Sequence, residues 1–102
     1  MAQSPPVPRS QEIVTFAATS IGFAAATLTV NGQQMQTCSG ILETASIRFR
    51  VVDTTNNPPT ATVGSPLSVG QVIKIDGFTA LTLFRGIRQT GTSGVIHFTC
   101  SR

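Results

Sequence analysis

The sequence predicts an all-β fold: a single small β-sandwich, of jelly-roll or immunoglobulin-like type, with about seven to eight short antiparallel strands and an extended N-terminal arm. Three observations lead there. Charged residues make up 11% of the chain, about half the usual share, and Thr, Ser and Gln take their place. Thr and Val favour pleated surfaces. The run Ile47-Arg48-Phe49-Arg50-Val51-Val52 alternates cleanly, with Ile47, Phe49 and Val51 on one face and both arginines on the other. Short apolar runs are separated throughout by turn residues such as Asn31-Gly32, Gly64-Ser65-Pro66 and Asp76-Gly77. With 102 residues the chain forms one domain, and its core is lean: 40% of residues are apolar and six are Phe, with no Trp or Tyr.

The elements follow in order. Residues 1–10 form the arm, because Pro5, Pro6 and Pro8 favour extended polyproline geometry and cannot donate to a ladder. Residues 11–102 form the sandwich domain. Gln11 to Ala18 is the first strand, and Thr19 to Gly22 a bend. Ala24, Ala25 and Ala26 favour a short helix between Phe23 and Leu28, which Thr27, Thr29 and Val30 keep from extending. Asn31-Gly32 is a tight turn. A strand from Gln34 to Glu43 carries Gly40 as a candidate bulge. After the alternating strand at 47–52, Asp53 to Pro59 reads as a surface loop. Thr60 to Val63 reads as an edge strand, Gly64 to Pro66 as a turn, and Gln71 to Ile75 as a strand ended by the Asp76-Gly77 hairpin turn. Leu81 to Arg88 and Gly94 to Ser101 then close the chain as a hairpin about Gly91-Thr92-Ser93-Gly94.

Charge and cysteine usage narrow the function. Seven basic residues face four acidic ones, and the positives are dispersed. Nucleic-acid binders concentrate basic side chains and add exposed stacking rings, so nucleic acid is not an expected partner. No apolar run is long enough to cross a membrane as a helix, and the Pro-rich start lacks the pattern of a signal peptide. Synthesis in the cytoplasm is expected, and with it two buried free thiols at Cys38 and Cys100. A disulfide is the alternative, and it requires their strands to be neighbours with Cα atoms within roughly 7 Å.

Tests for chemistry point away from an enzyme. The carboxylates are scattered, and Asp53 and Asp76 sit in turn contexts. His97 is the single histidine; in a strand it points away from Cys100, and no spacing suits a metal. Gly91-Thr92-Ser93-Gly94 looks like a serine elbow, but an elbow leads into a helix and here a strand follows. No catalytic residue, cofactor or metal is assigned. The arginines offer more. Arg48 and Arg50 share a strand face, while Arg85 and Arg88 fall on opposite faces unless a bulge intervenes. They read either as a solvated polar face or as an interface, since Arg is enriched in protein contacts and Lys depleted. The candidate interface residues are Pro5, Pro6, Pro8 and Arg9 of the arm, with Arg48, Arg50, Arg85 and Arg88. The arm itself reads as a disordered terminus or as a docking segment for a neighbouring subunit.

The second half carries a pattern. Glu43-Thr44-Ala45-Ser46-Ile47-Arg48-Phe49-Arg50, Pro59-Thr60-Ala61-Thr62-Val63-Gly64, Gly70 to Gly77, Phe84-Arg85-Gly86-Ile87-Arg88 and Gly91-Thr92-Ser93-Gly94-Val95 occur in that order. This resembles the small all-β proteins encoded among the structural genes of tailed bacteriophages, over residues 43–102. The chain departs from the pattern by a longer loop, with Asn56-Asn57-Pro58, and by Cys100 where the family shows an aromatic. The resemblance implies a virion structural protein without catalytic activity: a capsid decoration or cement protein, homo-oligomeric, bound to the major capsid protein or other virion proteins. The runner-up is a tail or fibre module that recognises a host surface receptor. Neither expectation involves nucleic acid or membrane.

Overall fold

The computed structural model describes residues 9–51 and 58–102. Its elements run β1 (Arg9–Phe16), α1 (Ala25–Leu28), β2 (Thr29–Val30), β3 (Gln33–Gln34), β4 (Thr37–Glu43), β5 (Ile47–Val51), β6 (Ser65–Leu67), β7 (Val72–Asp76), α2 (Phe78–Leu83), β8 (Phe84–Arg88) and β9 (Gly94–Ser101). The domain is all-β, as expected. One sheet has four strands in the order β1-β9-β4-β7, another three in the order β6-β5-β8, and β2 and β3 form a short ribbon. Neighbouring strands are antiparallel throughout. Asn31 and Gly32 both take positive φ, 51° and 75°, which is the geometry a two-residue hairpin turn needs.

Alternation fills one core between the two larger sheets. Val14 and Phe16 of β1, Ile96, Phe98 and Cys100 of β9, Cys38 and Leu42 of β4, and Ile73 and Ile75 of β7 are buried, as are Ile47, Leu67 and Phe84 of the other sheet. Phe84 is the hinge of this packing. Its ring centroid lies 6.0 Å from that of Phe16 and 5.8 Å from that of Phe98, both edge-on, so it meets two strands of the facing sheet. Phe23 and Phe49 also pack against it. Gly86 makes the close approach possible: a Cβ there would stand 2.5 Å from the Phe16 ring. At one end, the Ser10 hydroxyl donates to the Thr27 carbonyl at 2.6 Å and the Glu12 carboxylate accepts from the Ala24 N–H at 3.0 Å, tying the α1 turn over β1.

Several expectations need correction. The closing hairpin does not pair with itself. β8 lies in the three-stranded sheet and β9 between β1 and β4, so Gly91 to Gly94 carries the chain from one sheet to the other. Turn chemistry dictates where the chain reverses; which neighbour receives the next strand depends on distant partners. The stretch from Phe78 to Leu83 is helical, with the Leu81 N–H donating to the Gly77 carbonyl at 3.0 Å. Asp76-Gly77 therefore opens a helix, in which Ala80 and Leu81 are good formers. Thr60 to Val63 is not a strand. The Thr60 hydroxyl accepts from the N–H groups of Val63 and Thr62, at 3.0 and 3.3 Å, and this local bonding replaces a ladder. The strand forms just after it, at β6, where a turn was expected; Pro66 is tolerated because β6 is an edge. Gly40 is no bulge, since pairing to β7 runs through it and pairing to β9 resumes beyond it in the same register. The crowding of Ile96 and His97 over its Cα explains the glycine. Arg9 and Ser10, assigned to the arm by composition, begin β1, whose ladder starts directly after the last proline. Pro5, Pro6 and Pro8 lie outside the described residues.

The cysteines are the largest correction. Cys38 and Cys100 form a disulfide. The register sets them directly opposite each other on β4 and β9, with Cα atoms 4.0 Å apart and both side chains fully buried. This register, and not the compartment of synthesis, decides the pairing.

Candidate functional site

The arginines of β5 and β8 are placed by the same alternation that builds the core. Ile47, Phe49 and Val51 turn inward, so Arg48 and Arg50 turn outward. The β5–β8 register is unbroken from Ile47↔Arg88 to Val51↔Phe84 and sets Arg85 directly opposite Arg50. Arg48, Arg50 and Arg85 therefore share the outer face of the three-stranded sheet. Arg88 does not join them. It pairs with Ile47 at the sheet's end, half-buried, and its N–H donates to the Ala17 carbonyl at 3.1 Å. Arg9 is on the other sheet, exposed at the start of β1.

Each guanidinium on this face is oriented by the fold. Arg48 donates from Nε to the Ala61 carbonyl at 3.0 Å and from Nη1 to the Gly64 carbonyl at 2.9 Å, which fixes the segment leading into β6. Arg85 donates from Nη1 to its neighbour Phe84's carbonyl at 2.8 Å and lies across Gly22, where a Cβ would meet it at 2.2 Å. Arg50 borders a shallow depression lined also by Phe49, Val51, Val63, Gly64 and Ser65. A guanidinium has five donors in a planar fork, so Arg48 and Arg85 keep donors for a second acceptor after these bonds.

Charge is segregated between the sheets. β5, β6 and β8 contain four arginines and no carboxylate, whereas Glu12, Glu43 and Asp76 lie on β1, β4 and β7. Lys74 and Asp76 approach at 3.9 Å, and His97 and Glu43 at 3.6 Å, both on the four-stranded sheet. A sheet face with several guanidinium groups, two of them oriented by backbone carbonyls, and no carboxylate among its described residues can take carboxylates supplied from outside.

The other chemistry-bearing residues are dispersed. His97 is exposed on β9 while Cys100 is buried in the disulfide, so the two face opposite ways, as the alternation predicts. Gly91 to Gly94 leads into strand β9. Among the described residues no group of three or more His, Cys, Asp or Glu could hold a metal ion, and no helix is long and apolar enough to cross a membrane. All six phenylalanines are buried in the core or packed against it, so none is presented as a stacking platform.

Sequence reasoning overlooked the outer face of the four-stranded sheet. Ile13, Ile41 and Val72 are 64%, 52% and 66% exposed there. The signal was present: Gln11 to Phe16 carries an aliphatic residue on both sides of the strand. Comparison of the chain with protein-family models, curated proteins and solved structures finds no match.

Proposed function

We propose that this chain is a non-catalytic bacteriophage virion structural protein, a capsid decoration or cement protein that docks its arginine face on acidic surface of the major capsid protein or another virion protein. The observation that carries this reading is the shared face of Arg48, Arg50 and Arg85 on a sheet whose described residues include no carboxylate. The order of motifs between Glu43 and Val95 supports the virion context. The buried disulfide supports a protein that matures in a particle exposed to an oxidising exterior, since the cytosol keeps thiols reduced. In this reading the segment with Pro5, Pro6 and Pro8 contacts the lattice or a sister copy, and homo-oligomeric display turns weak single contacts into firm attachment. No nucleic acid, membrane or cofactor takes part.

Mass spectrometry of purified particles tests the proposal: the protein is expected among the virion components, and its absence from particles removes the idea. Particle-borne protein that binds host glycans reproducibly on an array favours the receptor-binding alternative. The engagement of every phenylalanine with the core, three buried and three partly buried against it, speaks against that alternative for glycans.

A further inference from the structure

The outer face of the four-stranded sheet is built in register rows. One row runs Ile13, His97, Ile41, Val72 from β1 across to β7, and another runs Arg9, Ser101, Thr37, Asp76. The first holds three of the six large apolar side chains that are exposed among the described residues. Each row is complementary end to end: an aliphatic group at both ends of the first, a cation and an anion at the ends of the second.

We infer that this face binds a second copy of the chain, about a two-fold axis that runs parallel to the strands along the seam between β9 and β4. Such an axis keeps each row in place and exchanges β1 with β7 and β9 with β4. It sets Ile13 on the partner's Val72 and His97 on the partner's Ile41. It also sets Arg9 against the partner's Asp76, twice by symmetry. Within one copy Arg9 and Asp76 stand on opposite edge strands, about 14 Å apart at three strand spacings, and do not pair. The row between these two runs Gln11, Thr99, Ser39, Lys74: its central side chains are small, which permits face-to-face packing with strands nearly aligned about 10 Å apart, and the axis sets Lys74 on the partner's Gln11 at the rim. A face of roughly 20 Å by 20 Å buries about 1,000 Å² over both copies, the lower bound for a specific interface, so the dimer is weak and reversible. This names the face and symmetry of the homo-oligomer that the virion reading calls for, yet it stands on the sheet rows alone.

Sedimentation equilibrium of the full-length oxidised chain tests it without any other virion component. The mass is expected to rise with concentration from 10.7 kDa toward twice that value. Ile13→Lys loosens the dimer about tenfold or more, with Val72→Lys as the second variant if the first fails to keep a cooperative thermal melt. Arg9→Asp and Asp76→Arg each loosen it about fivefold, and the double variant restores it to within about twofold of the parent. Asp76→Arg also loses the bond from the Thr37 hydroxyl, 2.7 Å in the parent, and the double variant cannot repair that, so restoration reads the pairing between copies. A single 10.7 kDa species at every concentration up to the solubility limit overturns the inference, as does a double variant no tighter than the two single variants. Either result leaves particle incorporation to be judged separately.

Discussion

The four-stranded sheet is clamped at its centre by a covalent bond and turns threonine, serine and an aliphatic row to solvent. The three-stranded sheet has no such clamp: it hangs on Phe84 inside and is braced by Arg48 outside. The first is therefore stable as a sheet, and the second is stable mainly through what it packs on. The difference also separates surfaces. Among the described residues the braced sheet carries cations and no acid, while the clamped sheet mixes both signs around an apolar row. One alternation rule produces both faces, and the residues between the buried ones decide what each face can bind.

Removing Phe84 is expected to separate the two sheets most. Phe84→Ala is expected to cost about 3–5 kcal/mol, because the ring bridges both sheets and leaves a cavity between them. Denaturant unfolding measures it. That cost is a large part of a typical domain's stability, and amide exchange is expected to rise in β5, β6 and β8 before β4 and β9. A uniform rise over both sheets would mean that the three-stranded sheet does not depend on this ring.

Opening the disulfide acts on the other sheet. Cys38 and Cys100 are separated by 62 residues, and closing a loop of that length contributes about 4 kcal/mol by chain entropy. The Cys38→Ala/Cys100→Ala variant is expected to melt roughly 15–30 °C below the parent. Non-reducing intact mass is expected to be two hydrogens lighter than the reduced form; equal masses would restore the free-thiol expectation. The smallest effect belongs to the brace. Arg48→Met is expected to cost about 1 kcal/mol and to speed amide exchange around Ala61 to Ser65 while leaving β4 and β9 unchanged.

How much of this could be read from the chain depends on range. The β5 alternation placed Phe49 inside and Arg48 outside with no knowledge of neighbours, and Asn31-Gly32 announced its turn through backbone preference alone. Arg48 and Arg50 could be assigned to one face for the same reason. Arg85 could not be set beside Arg50, nor Cys38 opposite Cys100, because these rest on registers between strands far apart in sequence. The hairpin at Gly91 to Gly94 misled for the same cause: its strands are individually clear, but each is better satisfied by another sheet. Leu81-Thr82-Leu83-Phe84 fits a strand locally, so sequence alone extends β8 back to Leu81, where the structure has a helix. The buried Leu81 is served as well by a helix turn.

In the proposed function the arginine face binds an acidic protein surface on the particle. Co-sedimentation of the purified protein with particles that lack it, across a salt series, tests this most directly. Binding is expected to weaken about tenfold or more as salt rises from about 50 mM to about 500 mM, and to weaken similarly at low salt for Arg50→Glu in a folded variant. Binding that is indifferent to salt and unchanged by Arg50→Glu would contradict the claim.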